Sequence, residues 1–437
     1  MNNYLVKKSV LKGEIIVPPS KSQTLRAILF ASLGKGKSTI YHYLQSTDTK
    51  AMLQALKLLG ATINIFSDRL EIIGLNGKIN GADDVINAGN SGIVLRFCSG
   101  LAALSKKPIV ITGDHSIRHL RSMEPLLKSL KSLGVNAIST KDDGFAPVII
   151  YGPIMSKKTT IQGEDSQGVS ALIIASSFIE GPIEISVENP GEKPWVSLTL
   201  SWLERLKIPY ANHDFEKYQI LGPATYEGFE YIVPGDLSSL SFPIAAALIT
   251  NSEITIKNVD MNDPQGDKEL IFVFQKMGAL IEIEENEKII RVKKGGVLSG
   301  ITVDINNFID ALTILAVVAC YANGETRIYN ASIARGKECN RLHAITTELK
   351  KMGANIEETE DGLIIKKSEL KGAKLYSYQD HRMCMSLAVA GLGAIGETEI
   401  SDIACVNKTF PSFLKDFQAL SAEFSEIQFK GNSSHGG

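Results

Sequence analysis

A pattern that recurs about every 70 residues constrains this chain more than any other feature of it: a polar opener, an apolar helix, a glycine-containing turn, a β-rich strand and a second, amphipathic helix. Six copies align, opening at Ser20 (SKSQTLRAILFASL), Asn90 (NSGIVLRFCSGLAAL), Asp165 (DSQGVSALIIASS), Asp236 (DLSSLSFPIAAALI), Asn307 (NFIDALTILAVVAC) and Asp380 (DHRMCMSLAVAGL). The first helix of each copy is apolar nearly all round, which places it inside a domain, whereas the second carries a charged outer face. Buried helices beneath a shell of sheets and amphipathic helices follow, so the fold class is α/β.

A chain of 437 residues is too long for one ordinary core, and two domains of three copies each suit it. The break between copies three and four falls at residues 231–236, where Pro234 and Gly235 mark a turn, and a second crossing lies near Pro18 and Pro19. The expected division is therefore 20–233 as the N-terminal domain, and 1–19 with 234–437 as the C-terminal one. The strand at 13–17 has no copy of its own before it and is expected to complete the last unit of the C-terminal domain. The tail 431–437 is expected to be disordered.

Composition excludes several classes. Hydrophobic residues make up 44% and charged ones 22%, with a net charge of -2, so no basic field argues for nucleic acid or an anionic membrane. The longest apolar run, 311–320, is too short to span a bilayer, and the first residues lack a signal-peptide layout; a cytoplasmic protein is expected, with a monomer as the default. Five cysteines, none in a Cys-x-x-Cys pair, argue against a disulfide framework or a zinc knuckle. His115 and His119 have helical metal-ligand spacing without a nearby third ligand, so no metal is expected. The stretch from Ala31 to Ser38 approaches a phosphate-binding loop but lacks its first glycine, and it follows a helix instead of preceding one; it reads as a turn. Ser22, His381 and Asp380 lack the nucleophile elbow of a hydrolase triad.

All six copies present the N-terminus of the buried helix in the same way, where unpaired N–H groups and the positive dipole end collect anions. The openers read as N-caps, each worth about 1 kcal/mol, and for the copy at Asp236 that is the whole reading: scaffold. Other copies add Lys21 and Arg26, Arg96, and the run Asp380-His381-Arg382. Cations oppose the dipole there, and buried charge costs several kcal/mol unless paired. A bound anion would supply the pairing. Further clusters lie in the links: Arg118 and Arg121; Arg335, Lys337, Glu338 and Arg341; and Lys408. Asp310, one turn into an apolar helix, is hard to explain as a cap and offers a carboxylate for proton transfer.

PPSKSQTLRA, NAGNSGIVLRF, DSQ, NFIDA, RGKECNRL, QDHRM and NKTFPSF, in this order over nearly the whole chain, resemble the 5-enolpyruvylshikimate-3-phosphate synthase family. The resemblance implies the enolpyruvyl transferase fold, two similar domains each of three βαβαββ units arranged as an inside-out α/β barrel, with the active site in the interdomain cleft. It also implies transfer of the enolpyruvyl group of phosphoenolpyruvate to the 5-hydroxyl of shikimate 3-phosphate in aromatic amino acid biosynthesis, with release of phosphate through a tetrahedral ketal and no cofactor. Motif by motif, Ser22, Arg26, Ser166, Gln167 and Lys337 are similar to the shikimate-phosphate contacts. Lys21, Asn90, Gly92, Arg121, Arg341, Arg382 and Lys408 are similar to the phosphoenolpyruvate contacts. Asp310 is read as the base, Glu338 as the proton-transfer carboxylate with Lys21 as the competing donor, and His381 as orienting its neighbours.

The chain departs from the family pattern in several places. Asp165 and Glu192 stand where serines are common near the shikimate phosphate, and two carboxylates there weaken binding unless turned away. Ile333 replaces a polar contact, and Cys-Asn replaces a hydroxyl-Asp pair at 339–340. Ile93 replaces a small hydroxyl residue, which is expected to narrow the phosphoenolpyruvate side and reduce sensitivity to the family inhibitor glyphosate. The loop carrying Arg121 is one residue longer. Two rival readings fit part of the pattern. UDP-N-acetylglucosamine enolpyruvyl transferase shares the fold but typically carries a reactive cysteine in the loop matching 112–121, where this chain has none. A non-catalytic anion-binding module would need the cations but not Asp310 or Glu338.

Overall fold

The structure, a computed structural model, describes residues 2–428; the tail 431–437 lies outside the described residues. Buried hydrophobics fall into two clusters. One runs from Leu25 to Val233, the other from Leu237 to Phe424 together with Tyr4 to Val17. The two crossings between them run side by side: Ser20 N–H donates to the Pro234 carbonyl and Asp236 N–H to that of Pro18, both at 2.8 Å.

Each copy is a βαβαββ unit, and the strands form six separate four-stranded sheets instead of one closed barrel. In each sheet the first two strands of the unit pair in parallel and the last two add antiparallel, as in Lys158–Gln162, Ile183–Glu188, Lys217–Ile220 and Tyr210–His213. The parallel pair needs a crossover connection, which the buried helix provides. Every residue of the Leu312–Ala319 helix is buried, as its all-apolar sequence requires. In the first half, Gly100 lets two core helices touch: a Cβ there would stand 2.7 Å from the Ala171 carbonyl oxygen.

The strand exchange differs from expectation. Lys12–Ile16 pairs in parallel with Glu253–Lys257 and so completes the first unit of the second half, not the last. The last unit takes Asn2–Lys7, inserted between Glu397–Ser401 and Phe424–Gln428 with Tyr4 and Val6 buried. That sheet lacked an inner antiparallel strand, whereas the Glu253–Lys257 sheet had an open edge, which a strand with Ile16 facing solvent can fill. The unit opened by Ser20 is completed in turn by Glu230–Ile232.

Four openers cap as read: Ser20, Asp165, Asp236 and Asp380 each accept a backbone N–H of the first turn. Two do not. Ser91, not Asn90, caps Gly92–Ala102. In copy five a 3-10 segment, Asn306–Ala311, precedes the helix, and Phe308 breaks it with φ -143 and ψ 45. Asp310 therefore lies just before the Leu312–Ala319 helix, not a turn inside it. No described helix is long and apolar enough to cross a membrane. The stretch from Ala31 to Ser38 is a helix end, a turn and the start of a strand.

Candidate active site

The openers and links of all six copies converge on one cleft between the two cores. Every residue matched from the sequence to a substrate contact or a proton-transfer role lines it except Asn90, which stands behind and holds Lys408 Nζ with its side-chain oxygen at 2.7 Å and its carbonyl at 2.8 Å. Arg118 and Arg335 do not reach it: Arg118 is exposed, and Arg335 binds Glu358 and the carbonyls of Thr359 and Glu360. The longer loop still delivers Arg121. Its Nη2 lies 2.9 Å from Glu338 Oε1.

Seven lysines and arginines but only five carboxylates line the cleft, so cations exceed the anions the chain supplies. Arg26, 2% exposed, has no carboxylate on it: it donates to the Thr199 hydroxyl and the Trp195 carbonyl at 3.0 Å and lies over the Phe97 ring. Burial without a counter-ion pulls its pKa down to about 9, the signature of a cation built to meet an anion. Burial likewise pulls Lys21 down, against the attraction of Asp48.

Arg341 is 1% exposed and pairs with three carboxylates: Asp310 and Glu338 at 2.8 Å and Asp380 at 2.7 Å. Asp310 is gripped on its other oxygen by Arg382 at 2.8 Å. Burial alone would raise Asp310, but Arg382, Arg341 and Lys337 outweigh it and hold the carboxyl well below the usual range. Glu338 is held down in the same way by Arg121, Lys408 and Arg341 against its own burial. Both carboxylates are ionised at neutral pH.

His381 is neutral, since burial and then the nearby Lys21 disfavour its cation. Neither ring nitrogen has a hydrogen-bond partner, and Nδ1 stands 4.0 Å from Glu338 and 3.8 Å from Asp380. Orientation of its neighbours through hydrogen bonds is therefore absent from this arrangement. Cys339 points its thiol at Asp380, and burial pushes its pKa up, which makes it a poor nucleophile.

Gly92 is required by close approach. A Cβ there would come within 2.6 Å of Arg121 Nη1, and 2.9 Å of both Arg96 Nη1 and Gln167 Oε1. Asp165 and Glu192 are not turned away. Asp165 pairs with Arg96 at 2.8 Å, and Glu192 binds Ser166 and Lys337. Ser166 and Gln167 sit on the first turn of Ser166–Ser176, whose dipole favours both anions.

The sequence reading missed Asp48, Trp195, Asp236 and Ser238. Asp48, 3% exposed, accepts from Ser91 Oγ at 3.0 Å and lies 3.6 Å from Lys21 Nζ; in sequence it reads as an ordinary first-turn acid. The copy at Asp236 is more than scaffold: its second oxygen accepts Lys21 N–H at 3.0 Å, and Ser238 Oγ accepts from Arg382 at 2.9 Å. Among the described residues no group of three or more metal-ligating side chains occurs.

Comparison with known proteins identifies the family. The family model of EPSP synthase (3-phosphoshikimate 1-carboxyvinyltransferase) matches residues 5–417. A 3-phosphoshikimate 1-carboxyvinyltransferase of Chlamydia caviae is 44% identical over 98% of this chain and 95% of its own length. One from Acetivibrio thermocellus is 43% identical, covering 97% of this chain and 99% of its own. An EPSP synthase structure from Acinetobacter baumannii superposes with a TM-score of 0.82 at 26% identity, over 98% of this chain and 100% of that one. A six-unit α/β chain whose copies converge on a cation-rich cleft, matched over nearly its whole length, belongs to the EPSP synthase family.

Proposed function

We propose that the cleft carries out the family's enolpyruvyl transfer with the following division of labour. The 5-hydroxyl oxygen of shikimate 3-phosphate attacks C2 of phosphoenolpyruvate as a proton is delivered to C3, giving a tetrahedral ketal; loss of a C3 proton and cleavage of the C2–O bond then release phosphate. Asp310 takes the hydroxyl proton. Its ionised state supports this, and the two arginines paired with it can turn to the substrates' anionic groups as these enter, which restores its basicity. Arg121, Arg382, Lys21 and Lys408 hold phosphoenolpyruvate and stabilise the departing phosphate. Ser22, Arg26, Gln167, Ser166 and Lys337 hold shikimate 3-phosphate, with Arg26 opposite its carboxylate.

For the C3 proton, the charge pattern favours Lys21 over Glu338. A carboxylate held ionised by three cations has no proton to give, whereas a buried ammonium with a lowered pKa is a ready donor. Glu338 is then the acceptor in the elimination. The observation that carries the whole reading is the excess of buried cations around one ionised carboxylate, Asp310, in a cleft made by both halves. The halves, 20–233 and 1–19 with 234–437, close over the substrates about the paired crossings, and the protein works as a cytoplasmic monomer; light scattering with and without both substrates checks the oligomeric state. Asp310→Asn is expected to bind both substrates and to lose turnover by at least about a thousandfold. Near-wild-type turnover would contradict the assignment.

A further inference from the structure

We infer that Glu192 is an internal anion occupying the seat that the substrate's phosphate must take, and that it sets how strongly the chain holds its phosphorylated substrate. This rests on the function proposed above. The Glu192 carboxylate is 2% exposed. One of its oxygens accepts both the backbone N–H and the hydroxyl of Ser166, at 3.1 and 2.9 Å. The other is paired with the ammonium of Lys337, which comes from the opposite half. A backbone N–H at the start of a long helix, a hydroxyl and a lysine together form the donor set that receives phosphate oxygens. Here the chain's own carboxylate is the tenant.

The backbone reports the same arrangement. Glu192 sits in the left-handed region with φ +46, unusual for a residue with a long side chain and sustained only where the surroundings hold it. Its N–H donates to Asn306 Oδ1 at 2.9 Å, in the segment that carries Asp310. Glu192 thus ties both halves together through its main chain and its side chain. Its side chain takes no part in capping the Lys193–Arg205 helix, whose first-turn Trp195 N–H is bound by the Glu192 backbone carbonyl at 2.9 Å.

A phosphate brought to this seat would meet the like charge of the Glu192 carboxylate and contend with it for the one hydroxyl proton and the one backbone N–H of Ser166. Substrate binding therefore requires Glu192 to leave, and whatever stabilises it in the seat is subtracted from the affinity for substrate. Glu192 is in this sense a specificity-determining residue: it makes the cleft admit only ligands able to displace it, and it sets a weak baseline for phosphorylated ones.

The test compares wild type, Glu192→Gln and Glu192→Ser in steady-state phosphate release with shikimate 3-phosphate and phosphoenolpyruvate. Removal of the charge is expected to lower KM for shikimate 3-phosphate by about tenfold or more, while KM for phosphoenolpyruvate moves by less than about twofold. The serine variant, which takes no bulk in the seat, is expected to follow the glutamine variant and keeps the test open if one of them folds poorly. A KM for shikimate 3-phosphate that is unchanged or raised in the folded variants, with the wild type active, overturns the inference and leaves the function standing. A wild type that releases no phosphate overturns the function and this inference with it.

Discussion

At one end of the cleft Glu338 lies among Arg121, Arg341 and Lys408; at the other Glu192 lies against Ser166 and Lys337. Both are buried carboxylates filling a cationic corner, but the corners differ in what they leave over. Around Glu338 the cations outnumber the carboxylate, and Arg121 Nε and Nη2 and Arg382 Nε have no hydrogen-bond partner. Although Arg121 Nη2 stands 2.9 Å from Glu338, it does so at an angle that makes no hydrogen bond. At the other corner a single ammonium and both donors of Ser166 are already occupied. The first corner can receive an anion as it stands; the second must first be vacated. Buried polar groups are seldom left unpaired without a reason, so the unpartnered guanidinium donors mark where a ligand completes the structure.

That contrast can be broken from the first corner outward. Arg121→Ala removes the group with the most unpartnered donors and leaves Glu338 with less charge to balance. KM for phosphoenolpyruvate is expected to rise on the order of a hundredfold, about 3 kcal/mol, with binding of shikimate 3-phosphate preserved. Equal losses for both substrates would show that the two corners are one site. Gly92→Ala acts on the same arginine from behind: a methyl 2.6 Å from Arg121 Nη1 must push it aside. Because the obstacle is the far end of a flexible side chain, the expected rise in KM for phosphoenolpyruvate is smaller, about tenfold. An unchanged KM would place phosphoenolpyruvate away from Arg121. Ile93, half-buried on the cleft wall, gives the mildest effect. Ile93→Thr is expected to strengthen glyphosate inhibition by a few-fold, on the scale of one or two methyl groups in a pocket. An unchanged inhibition constant would refute the idea that this side chain narrows the site.

The sixfold plan was legible because a 70-residue period leaves its mark on every copy, and all-apolar helices such as Leu312–Ala319 can only be inside. Cations within the first two turns of such helices pointed to the cleft, as Lys21, Arg26 and Arg382 show. What escaped depended on partners distant in sequence. Asn2–Lys7 and Lys12–Ile16 are both short strands, and local pattern cannot tell which of two sheets each one joins. Asp48 and Asp236 have ordinary explanations as helix-start acids, and only the fold brings Lys21 to them. Asp165 and Glu192 stood out as misplaced charges, but that they would bind Arg96 and Lys337, instead of turning to solvent, is a matter of long-range geometry.

The most direct test of the central claim is phosphate release when the chain is mixed with phosphoenolpyruvate and a second substrate. Release is predicted with shikimate 3-phosphate and not with UDP-N-acetylglucosamine or with phosphoenolpyruvate alone. No release with shikimate 3-phosphate, or release with the sugar nucleotide in its place, would contradict the account.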